Sequence, residues 1–293
     1  MYEKGYHRVV SVVDPRAVRS LELPQGGTAW PTVAVCVTAL LVQGASTAAS
    51  LTGVWPLPVA VAVNTACAYF QFTVLHDAIH KSLSRVPWVN EAFGLAATFV
   101  LCGPFEAMRR NHLHHHAHTN DPRQDPDYWA AGETWLGTAA RCLTMLQYHY
   151  YSYLTRLRRR DGAFVRALGT IGLVAALHVA AWRAGFLGAL VWHWTVPAQL
   201  AVALLALTFD YWPHRPHTAR GRFKDTANIL PAFIDPLFLC QNIHAIHHLF
   251  PQLPWYRYRE ALAAVGDGLK AEGVPQWELK EALLMLRPGP LPR

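Results

Sequence analysis

Five histidines fall within seven residues of the stretch NHLHHHAHTNDPRQDPDYW, at His112, His114, His115, His116 and His118. Two smaller groups share their character: HDAIH, with His76 and His80, and HAIHH, with His244, His247 and His248. His112, His115 and His116 repeat the H-x-x-H-H spacing of His244, His247 and His248. Positions i, i+3 and i+4 lie on one face of a helix, so each group aims its imidazoles at one point. A neutral imidazole offers a nitrogen lone pair to a transition metal. A single group of this kind binds metal adventitiously. Three groups meeting on one side of a membrane make a built metal site, and the eight residues His76, His80, His112, His115, His116, His244, His247 and His248 are its expected ligands.

The ligand count narrows the metal. Calcium and magnesium want oxygen, and one zinc takes at most four protein ligands. Eight or nine nitrogens suit two transition metals with room left for a small co-substrate. FDYWPHRPH offers a further ligand at a span end, where His214 and Asp210 compete to complete the shell. Ligating histidines usually donate their other ring N–H to a carboxylate or carbonyl. Asp77, Asp125, Asp127 and Asn242 are placed to do this, as is Asp210; Asp121 serves equally well as a turn former in NDPRQDPD. His114 points off the ligand face, and His118 reads either as a support behind the ligands or as solvent-facing. His7, His149 and His217 read as interfacial or surface residues. His178 and His193 read as hydrogen-bonded histidines buried within spans.

The elements that must position these rings follow from composition. Hydrophobic residues make up 52% of the 293, and charged residues 15%, well under the roughly 25% of a soluble domain. Four apolar blocks approach the roughly 20 residues that cross a bilayer: about 31–55, 56–75, 164–182 and 186–212. The shorter block EAFGLAATFVLCGPF at 91–105 reads as a buried or re-entrant helix. The expected architecture is an all-α integral membrane protein of one domain, residues 1–293. Its four transmembrane helices form two hairpins, and a helical cap, 76–163 and 213–293, holds a di-metal site. The termini and the cap carry four, ten and ten Lys and Arg residues, whereas only Arg183 faces the other side. Cationic loops stay cytoplasmic, so the cap and both termini are expected there, in a plasma membrane of bacterial type. The polar N-terminus has no signal-peptide core. The basic, aromatic stretch QYHYYSYLTRLRRR reads as an interfacial helix, and no nucleic acid is expected as a partner. Five scattered cysteines form no CxxC pair and point to a reduced compartment without zinc–thiolate sites.

H-x3-H followed by two H-x2-H-H groups, set between paired spans, resembles the membrane fatty-acid-desaturase superfamily of non-haem di-iron enzymes. HDAIH, NHLHHHAHTNDPRQDPDYW, FDYWPHRPH and QNIHAIHHLFPQLPWYRY are similar to β-carotene 3-hydroxylases of the cyanobacterial type, from about residue 60 to 262. The resemblance implies that His76, His80, His112, His115, His116, His244, His247 and His248 bind two ferrous ions, with His214 in a motif that supplies a further ligand. It also implies dioxygen as co-substrate, attack on an unactivated C–H bond, and hydroxylation of a carotenoid ring to zeaxanthin-type products. An acyl-lipid desaturase or hydroxylase on the same scaffold is the alternative, and a non-catalytic metal-binding protein a remote one. No rubredoxin-like CxxC, haem motif or dinucleotide fingerprint is present, so the electrons come from a separate carrier, by resemblance ferredoxin with its reductase. The lipophilic substrate is expected to enter from the bilayer along a channel lined by Phe70, Phe72, Phe99 and Phe105.

Overall fold

The computed structural model describes residues 15–157 and 159–289; the N-terminal stretch that includes His7 lies outside them. After a short helix α1 (Pro15–Arg19), the first hairpin pairs α2 (Trp30–Leu51) with α3 (Leu57–His80). Pro31 and Pro58 sit in the first turns of these helices, where a missing N–H costs nothing. Gly53, at φ 75°, makes the turn between them. The second hairpin is α8 (Gly162–Arg183) and α9 (Leu187–Tyr211). It is opened by Asp161, whose side chain accepts the Phe164 N–H at 3.1 Å, and turned at Gly185, φ 79°. These four helices are long and apolar enough to cross a membrane. Exposed Trp55, Trp182 and Trp192 ring the end with the hairpin turns, and Trp30 and Trp88 the other, as interfacial tryptophans do.

One boundary moves in a way that matters. The second span was expected to end at Leu75, but no residue there breaks a helix, and α3 runs on until Lys81 adopts a left-handed conformation at φ 59°. His76 and His80 therefore ride on the last turns of the span itself, where every residue from Thr73 to His80 is buried. α3 is the central helix, packed by α2, α9 and α4 (Pro87–Val100). α4 and α5 (Phe105–His118) are bent by 98° at Leu101–Pro104, the form of a broken span or of a re-entrant segment. The bend is tight: a Cβ on Gly94 would lie 2.3 Å from the fully buried Phe105 ring.

α6 (Trp135–Leu143) and α7 (Met145–Ser152) follow, α7 continuing into a wide π-type turn at Tyr153–Leu157. Beyond α9, a short helix α10 (His244–Leu249) carries the last histidine group, covered by α11 (Tyr258–Ala271). The cap departs from the all-helical expectation by one small feature, two parallel two-residue strands, β1 (Asn228–Ile229) and β2 (Gln276–Trp277), with Asn228 opposite Gln276. One apolar core lies among α3, α4, α5 and α9; a second, with Ile243, Ile246, Leu249 and Tyr258, lies under α11. The histidine-bearing segments join the two.

Candidate metal centre

α3, α5, α10 and the loop after α9 aim their imidazoles at a common volume. His76, His80, His112 and His247 form one set whose ring nitrogens all lie within 4.8 Å of one another, and His115, His214, His244 and His248 form a second. His116 stands between them, grouped with His247 and His248. Nearest Nε2–Nε2 separations are 2.9 Å for His76–His247, 2.8 Å for His80–His112, 2.8 Å for His116–His247, 3.2 Å for His112–His116 and 3.3 Å for His115–His248. Two nitrogens bound about 2.1 Å from one metal at a right angle stand about 3.0 Å apart.

The far side of the rings fixes which nitrogen is bare. His115 Nδ1 donates to Asp125 Oδ1 at 2.9 Å, His214 Nδ1 to the Asp225 carbonyl at 3.1 Å, and His244 Nδ1 to the Gln241 carbonyl at 3.3 Å. Their Nε2 atoms are left as lone-pair donors, and that of His214 is buried without any partner. His247 Nδ1 meets the hydroxyl of fully buried Tyr258 at 3.2 Å. Gln241 sits 3.3 Å from His76 Nδ1 with its Oε1 unpartnered. With the amide turned so that Oε1 faces the ring, it accepts the Nδ1 proton and frees Nε2. Lone pairs converging at these distances repel unless protons or a cation lie between them. The donor set and its outer hydrogen bonds fit two transition-metal ions.

Electrostatics separate His115 from its neighbours. Burial opposes its charged form, but the Asp125 and Asp127 carboxylates outweigh burial and push it up to about 10. The second proton so held is the one a metal would displace. Burial holds His112, His116, His214, His244, His247 and His248 well below the usual imidazole range, so they stand neutral.

Several residues sit differently from the sequence-based expectation. Asp210 belongs to none of these donor groups, whereas His214 does. Asp77 does not orient an imidazole: its carboxylate accepts from Thr32 Oγ1 at 2.7 Å and stays 3.8 Å from His76 Nδ1. It ties α3 to α2. Asn242 donates to the Ile229 carbonyl and Asp235, bracing the cap rather than a ring. Asp121 is a turn former, accepting the Arg123 and Gln124 N–H groups. Asp127 stands 3.5 Å from His115 and hydrogen-bonds His149 at 2.9 Å. His149 is not a surface residue, since it lines a cavity, and His217 is only 2% exposed. His114 and His118 pack against each other outside the cluster, ring centroids 4.3 Å apart and tilted by 48°. His178 and His193 bond back to the carbonyls one turn earlier, as expected of buried span histidines.

A cavity of about 50 Å³ abuts the first set, lined by Phe72, Leu75, Met108, His112, Val202 and Asp210 among others. Of the four phenylalanines expected to line a channel, Phe72 lines this cavity and the other three do not. Phe105 is spent packing against Gly94, and Phe99 packs against Trp194.

The fatty acid desaturase family model matches residues 52–280, which include the spans α3, α8 and α9 and every clustered histidine. The chain belongs to the fatty acid desaturase family. Among its relatives, the sn-1 oleoyl-lipid 12-desaturase of Picosynechococcus sp. is 26% identical over 78% of this chain and 74% of its own length. A beta-carotene ketolase of Paracoccus sp. is 27% identical over 78% of this chain and 94% of its own. The sn-1 acyl-lipid omega-3 desaturase (ferredoxin) of Synechocystis sp. is 24% identical over 71% and 67%. This fatty acid desaturase family member is thus an oxidoreductase of the membrane, with relatives that act on lipids and on carotenoids.

Proposed function

We propose that the chain is a di-iron oxygenase that hydroxylates a carotenoid ring, in the manner of a β-carotene 3-hydroxylase. Two ferrous ions are held by His76, His80, His112 and His247 and by His115, His214, His244 and His248, with His116 between the sets. The observation that carries this reading is the division of eight imidazoles into two adjacent four-nitrogen sets, with a ninth between them, beside a largely apolar cavity. Bound iron supplies the redox chemistry with dioxygen that side chains lack. The protein supplies orientation. Asp125, Asp225, Gln241 and Tyr258 hold the Nδ1 side of five rings, and Phe72, Leu75 and Val202 keep water from the cavity mouth of the first set. Electrons arrive from a ferredoxin and its reductase, a reading supported by the ferredoxin-dependent name of the Synechocystis relative. The excess of Lys and Arg in the cap supports a cytoplasmic side for the metal site and both termini.

Hydroxylation of a carotenoid draws support from the motifs and from the ketolase likeness. A second reading, desaturation or hydroxylation of an acyl lipid, is favoured by the oleoyl-lipid desaturase likeness and by the narrowness of the cavity. Expression in cells that make β-carotene, followed by chromatography of pigments and of fatty acids, separates the two. Zeaxanthin-type products support the first reading; new double bonds in acyl chains with unchanged pigment overturn it. A non-catalytic metal binder would take up metal without consuming dioxygen.

A further inference from the structure

The cap carries a cationic face that neither the metal centre nor the spans use. Its middle is the turn at 120–125, where Pro122, Arg123 and Gln124 are exposed. Asn120 Nδ2 donates to the carbonyls of Ala219 at 2.8 Å and Asp225 at 2.7 Å, which pins the loop bearing Arg220 and Lys224 alongside. Arg156 donates to the Arg123 carbonyl, and to the Tyr148 hydroxyl at 2.9 Å. Arg110 stands one turn before His114 on the same face of α5. Among the described residues, Arg110, Arg123, Arg156 and Lys224 form no ion pair with a carboxylate; Arg220 pairs with Asp121 at 3.2 Å. Around the start of α11, by contrast, Arg85, Arg257 and Arg259 are each held by a carboxylate, those of Glu22, Glu260 and Asp235. The cationic face lies over the second histidine set. The Asn120 N–H donates to Asp125 Oδ2 at 2.8 Å, and Asp125 Oδ1 accepts from His115 at 2.9 Å. The Asp225 carbonyl that takes the Asn120 amide also takes the His214 Nδ1 proton at 3.1 Å. Two of the four rings in that set are thus one hydrogen-bonded residue away from the cationic loops.

We propose that this face is the docking site of the one-electron carrier protein, which meets it with an acidic surface and passes its electron to the His115 and His214 side of the centre. The inference rests on the oxygenase reading and adds to it the place and the sign of the contact. A cluster of one charge steers a partner of the other and sets its register. Hydrogen bonds hold Arg156 and Arg220, so little side-chain freedom is lost when that partner arrives. Both loops lie outside the four spans, where a soluble protein reaches them. Neither carries an exposed large apolar side chain of the kind that inserts into a lipid interface, which favours a protein over a bilayer as the occupant. Each encounter oxidises the carrier by one electron and reduces the centre by one. Two encounters supply the pair consumed when R–H and O2, with two protons, give R–OH and water.

The test is the rate of association with the iron-loaded protein held in nanodiscs of neutral phosphatidylcholine. The probes are an acidic plant-type ferredoxin and an acidic flavodoxin, with basic cytochrome c as the charge-opposed control. The expected result is binding of at least one acidic carrier, at a rate that falls as salt is raised. Arg123→Glu with Lys224→Glu should lower that rate about tenfold or more, and Arg123→Gln with Lys224→Gln should lower it less. Lys224 reaches Gly273, past the end of α11, so Arg257 at the start of that helix stands about 20 Å away. Arg257→Glu should therefore change the rate less than about twofold. Should the reversed pair fail to fold, the neutral pair and the salt dependence still decide. No binding by either acidic carrier, equal binding of cytochrome c, or an unchanged rate in the double variants would overturn the inference. Vesicles of phosphatidylglycerol form a further arm: vesicle capture lost in the double variants, with carrier association unchanged, would assign the face to lipid and overturn it too. Product formation with a chemical reductant in place of the carrier is measured separately. Product there without docking at this face refutes the inference alone; docking without product from either electron source refutes the oxygenase reading alone.

Discussion

Asp125→Asn is a severe change at small steric cost, because of how fully the carboxylate is used. Oδ1 accepts from His115 Nδ1 at 2.9 Å and from the Asp127 N–H at 2.8 Å, and Oδ2 accepts the Asn120 N–H at 2.8 Å. An amide has one oxygen, so its NH2 must face either the His115 N–H or the Asn120 N–H, donor against donor. Loss of a hydrogen bond between a buried carboxylate and an imidazole costs about 1.5–3 kcal/mol. That agrees with the roughly 10–100-fold loss of metal affinity usual when such an outer partner is removed. The pH dependence gives a second signature. His115 is pushed from 6.5 to about 10, with burial opposing and Asp125 and Asp127 prevailing. Because the folded value lies above the unfolded one, this proton stabilises the metal-free fold fully below about pH 6.5, and the gain is lost as pH rises through about 10. Metal competes with the same proton, so affinity should climb across that window. Chelator-competition titration with ferrous ion, from pH 6.5 upward, is the assay. Asp125→Asn should bind about 10–100-fold more weakly with a flatter pH profile, and Asp121→Asn, as control, like the wild type. Wild-type affinity in Asp125→Asn, or equal losses in both variants, would refute the reasoning.

Three further outcomes follow from packing and charge. Gly94→Ala should destabilise the protein by about 1–3 kcal/mol, seen as a lower melting temperature, since the new methyl meets the Phe105 ring at the bend between α4 and α5. Thr32→Val removes the hydroxyl that donates to Asp77 and accepts from Trp255 Nε1 at 3.1 Å. It should cost about 2–3 kcal/mol in chemical denaturation without lowering iron affinity, which separates Asp77 from the metal site. The six cap histidines held neutral by burial have folded values below 6.5. Their contribution is present above about pH 6.5 and lost as pH falls, so the metal-free protein should unfold far more readily in mild acid, and iron should protect it. A flat stability profile from pH 7 to pH 5 would contradict this.

The histidine groups were legible because helical spacing is local: i, i+3 and i+4 share a face whatever else the chain does. The spans were legible for the same reason, through runs of apolar residues. Partners that fix the rings were harder to see. Gln241 and His76 are 165 residues apart, and Tyr258 reaches His247 from another helix, so no local pattern announces either. Asp77 misled by adjacency, since neighbours in a helix point about 100° apart, which turns it toward α2 rather than toward the rings. His149 and His217 looked superficial because their segments are polar, yet the fold turns His149 into the cavity and buries His217. The choice between His214 and Asp210 turned on the path of the chain beyond Tyr211, which spacing alone does not define.

X-ray absorption at the iron edge, with iron quantified per chain, tests the central claim most directly. The account predicts two irons per chain in shells dominated by imidazole nitrogen near about 2.1 Å, both disturbed by His247→Ala because that ring meets members of each set. One iron or none, or a shell dominated by sulfur, would contradict it.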